Sequence, residues 1–200
     1  MNQHSLPIAI FASGTGTNAL QLLSQKKELS LIHIPVIIVD RADSPLPAKV
    51  KSLYPEVDVQ VIPFAINKAE HETRILEALR AHSIQWIFLA GFMRILGPTL
   101  LNAFRNPNGA HRVVNIHPSL LPAYPGTHSY ERAFQDQVSE SGITVHLVDS
   151  GVDTGPILAQ LKFPRRTDDT LETFKERGLA LEWEIYKKIL HELDQRGTLG

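Results

Sequence analysis

The chain contains no cysteine, and this absence excludes several kinds of chemistry. Without thiols there can be no disulfide framework, no thiolate ligand for a metal ion and no cysteine nucleophile. A chain without cysteine suits a reducing compartment, and we expect the protein to be cytoplasmic.

Long apolar runs and a surplus of positive charge are missing as well. The most apolar stretches, residues 31–39 and 86–93, are far shorter than the roughly 20 residues that a helix needs to cross a bilayer. Residues 1–7 lack the charged-then-apolar layout of a signal peptide. The net charge of -1 provides no basic field for a nucleic acid backbone. We therefore expect neither a membrane nor a nucleic acid as a partner.

The residues that are present have the composition of an ordinary soluble domain. Hydrophobic residues make up 43% and charged residues 20% of the chain, which is close to average usage. A chain of 200 residues can bury roughly 70% of its unfolded surface in one core. We predict a single domain over residues 1–200, without an internal repeat or linker.

Short apolar runs alternate with helical patterns along the chain. Continuous apolar runs of this length are typical of buried parallel strands. The predicted strands cover residues 8–13, 33–40, 57–63, 85–91, 112–116, 143–148 and 156–163. Alternating strands and helices predict an α/β fold with a doubly wound, Rossmann-like, mostly parallel sheet of seven strands and helices on both faces. The last two strands could instead form a mixed or antiparallel extension.

Two helices stand out from the pattern. Residues 68–82 place apolar side chains on one face and charged side chains, including Glu72, on the other, with Asn67 as the N-cap. A long helical pattern over residues 167–196 closes the chain and is expected to pack across the sheet. Between the elements, Pro45 and Pro47 are interpreted as loop residues, and residues 118–130 as a structured loop.

A glycine-rich turn follows the first strand. Residues 14–19 fit the pattern G-x-G-x-x-A, and Asp40 ends the second strand where a ribose-binding acid would lie, so a dinucleotide site is one interpretation. A second is a site for one phosphate, held by the backbone N–H groups of Gly16, Thr17 and Asn18 at a helix N-terminus. A third is a plain tight turn.

The strongest candidates for chemistry lie at the end of the fifth strand. Asn115 and His117 are two residues apart, so both side chains should point to the same side of the sheet. Pro118 then ends the strand, which leaves an amide and an imidazole at the edge where parallel sheets place their ligands. Taken alone, His117 would more often be a structural histidine than a catalytic one.

Two acids lie in a glycine-flanked loop between the last two strands. A carboxylate close to His117, supplied by Asp153, would raise the pKa of the imidazole. Asp149 and Asp153 could instead be turn formers or part of a weak metal loop. His146, inside a strand pattern, is expected to be structural.

Several of these motifs occur together in one order along the chain. They run from residue 8 to about residue 186 and include A-G-F-M-R-I-L at 90–96, N-I-H-P-S-L-L-P at 115–122, Y-P-G at 124–126, T-V-H at 144–146 and D-T-G-P at 153–156. In this combination the chain resembles the phosphoribosylglycinamide formyltransferases, a family of folate-dependent formyltransferases. The resemblance implies transfer of a formyl group from 10-formyltetrahydrofolate to the glycine amine of glycinamide ribonucleotide, without a metal or a nicotinamide.

The resemblance also assigns roles to residues of the substrate site. It implies that Gly16, Thr17 and Asn18 hold the substrate phosphate and that Glu182, in the closing helix, meets the glycinamide end. It therefore favours the site for one phosphate over the dinucleotide site. Small-molecule substrates are the implied partners, and the protein would be a monomer or a homodimer.

The folate side follows from the same resemblance. Asn115 is expected near the formyl group, and residues 148–153 are expected against the pterin. Lys68 stands where the family often has an arginine that contacts the folate. The wall along the folate is expected to consist of Met93, Arg94, Ile95 and Leu96.

For the reaction itself, the catalytic residues are expected to be Asn115, His117 and Asp153. The attack creates an oxyanion, which Asn115 and a protonated His117 could stabilise by hydrogen bonds, while Asp153 keeps the imidazole charged. No covalent enzyme intermediate is required.

The sequence departs from the family pattern in two places, and it leaves two alternative functions open. Residues 105–111 form a longer loop than the family usually has, and residues 127–130 vary a segment that is usually richer in histidine. The alternatives are another folate-dependent formyltransferase, such as the one acting on initiator methionyl-tRNA, and a nucleotide-binding module. The second would leave Asn115, His117 and Asp153 without a role.

Overall fold

The computed structural model describes residues 5–64 and 67–200. Strands and helices alternate except that β6 is followed directly by β7, and a short 3-10 turn, Gln25–Lys27, follows the first helix. The elements are β1 (Leu6–Ala12), α1 (Thr17–Ser24), β2 (Ile32–Val39), α2 (Leu46–Leu53), β3 (Asp58–Val61), α3 (Lys68–Arg80), β4 (Trp86–Leu89), α4 (Pro98–Ala103), β5 (Val113–His117), α5 (Ser129–Gln135), β6 (Glu140–Leu147), β7 (Ile157–Pro164) and α6 (Leu171–Arg196).

The strands form one sheet of seven in the order β3-β2-β1-β4-β5-β6-β7. The strands from β3 to β5 pair in parallel, whereas β6 and β7 are antiparallel additions at one side. The structure therefore confirms the mostly parallel α/β sheet and the antiparallel extension. The strand predicted at residues 57–63 is shorter and only partly buried, because β3 is an edge strand with a neighbour on one side.

Alternation along the strands divides the interior into two cores, one on each face of the sheet. In β1, Ile8 and Ile10 pack with side chains of α1, α2 and α6, whereas Ala9 and Phe11 pack with side chains of α3 and α4. All four are fully buried. Since burying one large aliphatic or aromatic side chain contributes about 1.5–3 kcal/mol, these two layers fix the sheet and therefore the edge that carries the site.

The helix α3 agrees with its sequence pattern at its start and departs from it at one residue. The side chain of Asn67 caps the helix by accepting a hydrogen bond from the N–H of Glu70 at 2.8 Å. Glu72, predicted on the solvent face, is buried. Its carboxylate accepts hydrogen bonds from the N–H groups of Gly97 and, at 3.2 Å, Leu100. Glu72 is therefore buried because it satisfies the first N–H groups of α4.

The interpretation of Pro47 as a loop residue is wrong, since it lies within α2, whereas Pro45 precedes the helix. Pro45 is the N-cap of this helix and Pro47 lies in its first turn. Proline is tolerated there because the first N–H groups of a helix have no partner within the helix.

The long helix α6 begins slightly later than predicted, because the Thr170 side chain caps it at residue 171. The helix packs against the sheet through Tyr186, which is fully buried. The Tyr186 hydroxyl donates a hydrogen bond to the carbonyl oxygen of Leu89 at 2.8 Å and lies 3.3 Å from that of Val114. These contacts tie α6 to the ends of β4 and β5. In the described part of the chain, no helix has the length and apolar character needed to span a bilayer.

Candidate active site

A cavity of about 550 Å³ opens at the carboxyl ends of β4 and β5. This volume lies within the range of small-molecule sites. Its walls come from four chain segments, residues 91–96, 115–118, 126–131 and most of 148–153, together with Leu89 and His146. The cavity therefore brings together Asn115, His117, Asp153 and the wall predicted at residues 93–96.

Asn115 and His117 point into this cavity from β5, as their two-residue spacing predicted. Both side chains reach Asp153, which follows β6 in the chain. The Nδ2 of Asn115 lies 3.4 Å from Oδ1 of Asp153, and Nδ1 of His117 lies 3.3 Å from Oδ2. The three residues thus form one contiguous cluster.

The loop after β6 distinguishes its two acids. Asp149 is a turn former, because its Oδ1 accepts hydrogen bonds from the Gly151 N–H at 3.0 Å and the Thr154 hydroxyl at 2.7 Å. Asp153 has a positive φ of 54°, and its Oδ2 accepts the N–H of Gly126 at 2.7 Å. The turn therefore directs Asp153, and not Asp149, toward His117. Across residues 5–64 and 67–200, no group of three or more acidic or histidine side chains is arranged to hold a metal ion.

His146 also belongs to this cluster, which we had not expected from the sequence. It is buried within β6, but the antiparallel register pairs it directly with Asn115. Its Nε2 lies 3.2 Å from Nδ2 of Asn115 and 3.5 Å from Oδ1 of Asp153. The sequence signal for His146 was its two-residue spacing from Thr144 within one strand. This spacing places His146 in the site only once the register of β6 against β5 is known.

The Asp153 carboxylate is held in its ionised form. Burial opposes ionisation, but the contact with Nε2 of His146, the hydrogen bond from the Gly126 N–H and the charge of His117 lower the pKa of Asp153 to about 2. The carboxylate therefore carries its negative charge throughout the neutral range.

The His117 imidazole responds to opposing influences. Burial lowers its pKa, while the hydrogen bond from Nε2 to the Tyr124 carbonyl, at 2.8 Å, and the Asp153 charge act in the raising direction. The predicted raising effect of Asp153 is present, but the predicted net increase is wrong because burial outweighs it. With the Nε2 hydrogen directed at Tyr124, Nδ1 of the neutral ring accepts the next proton and forms an ion pair with Asp153.

Apolar side chains form the open wall of the cavity. Met93 and Ile95 are 70% and 55% exposed, Val152 is exposed on the loop after β6, and Leu96 is buried. Exposed apolar side chains that line a concave surface are a common feature of ligand sites. Lys68 is exposed at the start of α3 and is not part of this lining.

Arg94, in the same wall, is fixed by contacts with its neighbours. Its Nε lies 2.6 Å from Oδ2 of the buried Asp40, and its guanidinium stacks over the Phe64 ring at 4.4 Å from the centroid. Asp40 is thus occupied by a cation of the chain itself. This contact disfavours the ribose-binding role that the dinucleotide interpretation gave to Asp40.

The glycine loop lies outside the cavity lining and has the local geometry of an anion site. Gly16 caps α1 with a φ of 72°, and a Cβ at this position would lie 2.4 Å from a methyl carbon of Leu46. Only glycine fits there without strain. The helix then begins at Thr17, so the backbone N–H groups of Gly16, Thr17 and Asn18 lie at its N-terminus.

Glu182 connects the glycine loop with the cavity. Its Oε2 accepts a hydrogen bond from Nδ2 of Asn18 at 2.8 Å, and its Oε1 accepts one from the Tyr130 hydroxyl at 2.8 Å. Tyr130 is itself a lining residue of the cavity. The predicted substrate residues therefore lie beside the cavity and meet it at Tyr130.

The long loop at residues 105–111 also reaches toward the site. Arg105 and His111 form an isolated antiparallel bridge that closes the loop. Nδ1 of His111 lies 3.0 Å from the carbonyl oxygen of Val148. The loop thus contacts the first residue of the 148–153 segment.

Comparisons with known proteins agree with this geometry. The formyl transferase family matches residues 6–190. The chain is 37% identical over 187 residues to phosphoribosylglycinamide formyltransferase of Bacillus subtilis, covering 92% of this chain and 93% of the relative. It is 39% identical over 197 residues to the same enzyme of Mycobacterium tuberculosis, covering 96% and 86%. The solved structure of phosphoribosylglycinamide formyltransferase from Bacillus halodurans superposes with a TM-score of 0.87 at 38% identity, covering 96% and 97%.

Proposed function

The chain belongs to the formyl transferase family, and on this premise we propose that Asn115, His117 and Asp153 carry out the chemistry of formyl transfer. The protein transfers the formyl group of 10-formyltetrahydrofolate to the glycine amine of glycinamide ribonucleotide, a step of purine synthesis. The observation that carries the assignment of residues is the contact of Asp153 with both Asn115 and His117 inside the cavity.

The cavity offers a suitable surface for the folate cosubstrate. The exposed apolar side chains of Met93, Ile95 and Val152 would cover the flat faces of the pterin, with Arg94 and Leu96 completing the wall. Asn115, which also lines the cavity, would then lie beside the formyl group. Lys68 remains a proposed contact for the part of the folate that extends beyond the cavity.

The amide of Asn115 is suited to stabilise the oxyanion formed on the formyl carbon. Its Nδ2 contacts His146 and Asp153 at 3.2 and 3.4 Å, which are long distances for hydrogen bonds. A developing negative charge would draw one of these N–H groups away from its weak contact. Such a donor typically contributes about 2.7–4 kcal/mol to transition-state stabilisation.

The pair formed by His117 and Asp153 would handle the proton. An amine with a reference pKa of about 7.7–8.0 must attack unprotonated, and it acquires a positive charge as the new C–N bond forms. His117 can take this proton on Nδ1, because burial keeps the ring neutral and Asp153 stabilises the imidazolium. When the bond between the formyl carbon and N10 breaks, the proton passes to N10 of the leaving tetrahydrofolate.

The ribonucleotide would lie across the other side of the cluster. Its phosphate is assigned to the backbone N–H groups of Gly16, Thr17 and Asn18, and its glycinamide end to Glu182. We further propose that the protein works in the cytoplasm, as a monomer or a homodimer, on small molecules only. This arrangement gives residues 1–200 a phosphate-binding N-terminal half and a folate-binding C-terminal half.

The decisive experiment is a formyl-transfer assay with the purified protein, 10-formyltetrahydrofolate and glycinamide ribonucleotide. We expect formylated ribonucleotide and tetrahydrofolate in equal amounts. Absence of product, with a known formyltransferase active in parallel, would contradict the proposal. A nucleotide-binding module would instead show heat of binding with NAD in calorimetry and none with folate. Another formyltransferase would release tetrahydrofolate only with a different acceptor.

A further inference from the structure

Three helices meet at the carboxylate of Glu182. The helix α1 contributes Asn18, α5 contributes Tyr130 and α6 contributes Glu182 itself. We infer that Tyr130 is a positioning residue, whose hydroxyl holds the Glu182 carboxylate at the glycinamide end of the bound ribonucleotide. The inference rests on the proposed function, and it concerns a residue to which neither the motifs nor the proposed mechanism gives a role.

The chain makes specific room for the Tyr130 ring. Gly178 lies one helical turn before Glu182 on α6, and a Cβ at Gly178 would lie 2.2 Å from the Tyr130 hydroxyl oxygen. The bare glycine therefore lets the ring cross the helix and reach the acid. The ring also packs edge-on against Phe174, at 6.2 Å between centroids. Because α6 contacts the ring at both Phe174 and Gly178, the hydroxyl has a fixed direction toward Glu182.

Tyr130 also lies at the boundary between the two halves of the proposed site. It lines the cavity that contains Asn115, whereas the other partner of Glu182 is Asn18 of the glycine loop. A substrate that carries a phosphate at one end and a reactive amine at the other must span these two regions. Glu182 lies between them, where it can bind the glycinamide end of a substrate that spans both regions.

The charges around Glu182 explain why its position depends on a neutral donor. Burial raises the pKa of Glu182, while hydrogen bonds from Asn18 and Tyr130 act in the lowering direction. Burial also raises the pKa of Tyr130, so the phenol stays protonated and can only donate to the acid. Among the described residues, Tyr130 is the titratable group in contact with Glu182, and no cation forms an ion pair with it. This buried carboxylate can therefore accept a further hydrogen bond from an N–H group of the substrate.

The test is Tyr130→Phe, which keeps the ring and removes only the hydroxyl. A hydrogen bond to a charged group is strong, so we expect KM for glycinamide ribonucleotide to rise roughly tenfold or more. The kcat value and KM for 10-formyltetrahydrofolate should stay within about twofold of wild type, since Asn115 and His117 are untouched. Loss of the donor also favours the protonated acid, so the acid limb of kcat/KM for the ribonucleotide should move to higher pH.

Two further variants give a matched control and an independent test. Tyr54→Phe removes a hydroxyl that makes no side-chain hydrogen bond within the described residues, and it should leave every parameter unchanged. Gly178→Ala leaves the Tyr130 hydroxyl on the chain but displaces the ring, so it should reproduce the higher KM and the moved acid limb.

The outcomes separate the inference from the proposed function. If wild type transfers the formyl group while Tyr130→Phe keeps the wild-type KM and acid limb, the inference is wrong and the proposed function stands. If wild type does not transfer the formyl group, the proposed function itself fails. Should Tyr130→Phe not fold, the pH profile of Gly178→Ala decides, and an unmoved acid limb overturns the inference.

Discussion

Replacing Asp153 by asparagine removes the negative charge from the centre of the cluster and replaces one carboxylate oxygen by an NH2 group. The side chain keeps its shape, and its carbonyl oxygen can still accept the Gly126 N–H that the carboxylate accepts at 2.7 Å. The pKa of Asp153 falls from 3.8 to about 2, so the folded protein favours the ionised carboxylate by about 2–3 kcal/mol. If the transition state depends on the charge to this extent, turnover should fall roughly 60-fold.

The pH dependence of turnover should also shift in a definite direction. Asp153 acts to raise the pKa of His117, so its removal should lower that pKa further. The ionisation limb of kcat that reports His117 should therefore move to lower pH in Asp153→Asn. Steady-state formyl transfer measured from about pH 5 to 9 would show both effects.

A matched control is available on the edge strand β3. Asp58 also contacts a histidine, with its Oδ2 3.2 Å from Nε2 of His82, but the pair lies far from the cavity in the sheet order. Asp58→Asn should leave turnover and its pH profile unchanged. Wild-type turnover with an unmoved limb in Asp153→Asn would refute the assigned coupling between Asp153 and His117.

Three further substitutions test other parts of the account. Asn115→Ala should lower kcat roughly 10²-fold with KM within a few-fold, and steady-state kinetics with only KM raised would contradict this. Gly16→Ala forces an L side chain to a φ of 72° against Leu46. The free energy of unfolding in urea should therefore fall by about 1–3 kcal/mol, and KM for the ribonucleotide should rise. Unchanged values of both would contradict the role of the turn. Asp194→Ala leaves the N–H groups of residues 30–32 without their acceptor, at 2.7–3.1 Å. Its unfolding free energy should fall by about 1–3 kcal/mol while turnover stays unchanged, and a loss of turnover without a loss of stability would oppose a structural role.

Local signals were sufficient for the features that depend on neighbouring residues. The N-cap at Asn67 followed from its place before an amphipathic pattern, and the common direction of Asn115 and His117 followed from strand alternation. The sheet itself followed from repeated apolar runs. These features depend on sequence separations of a few residues, over which backbone geometry is nearly fixed.

Features that depend on distant segments could not be predicted in the same way. Glu72 looked like a solvent-facing residue because the N–H groups that it caps lie at the start of α4. The nearer of them in sequence, that of Gly97, is 25 residues from Glu72. His146 joins the site only through the register of β6 against β5. Pro45 and Pro47 resemble loop residues as much as helix starts, and the burial of the following helix decides between them.

Asp153 and Asp149 show what the sequence could not predict within the site itself. Both are acids in the same glycine-flanked loop, and composition does not distinguish them. The distinction comes from the positive φ of Asp153 and from the N–H of Gly126, which belongs to another loop. The family resemblance supplied this choice before the geometry did.

The most direct test of the central claim is steady-state formyl transfer by His117→Ala with both substrates varied. The account predicts that kcat falls roughly 10²-fold or more while each KM stays within a few-fold of wild type, because His117 acts on the proton and not on substrate binding. A variant with near-native kcat and only a raised KM would contradict the assignment of His117 to the chemical step.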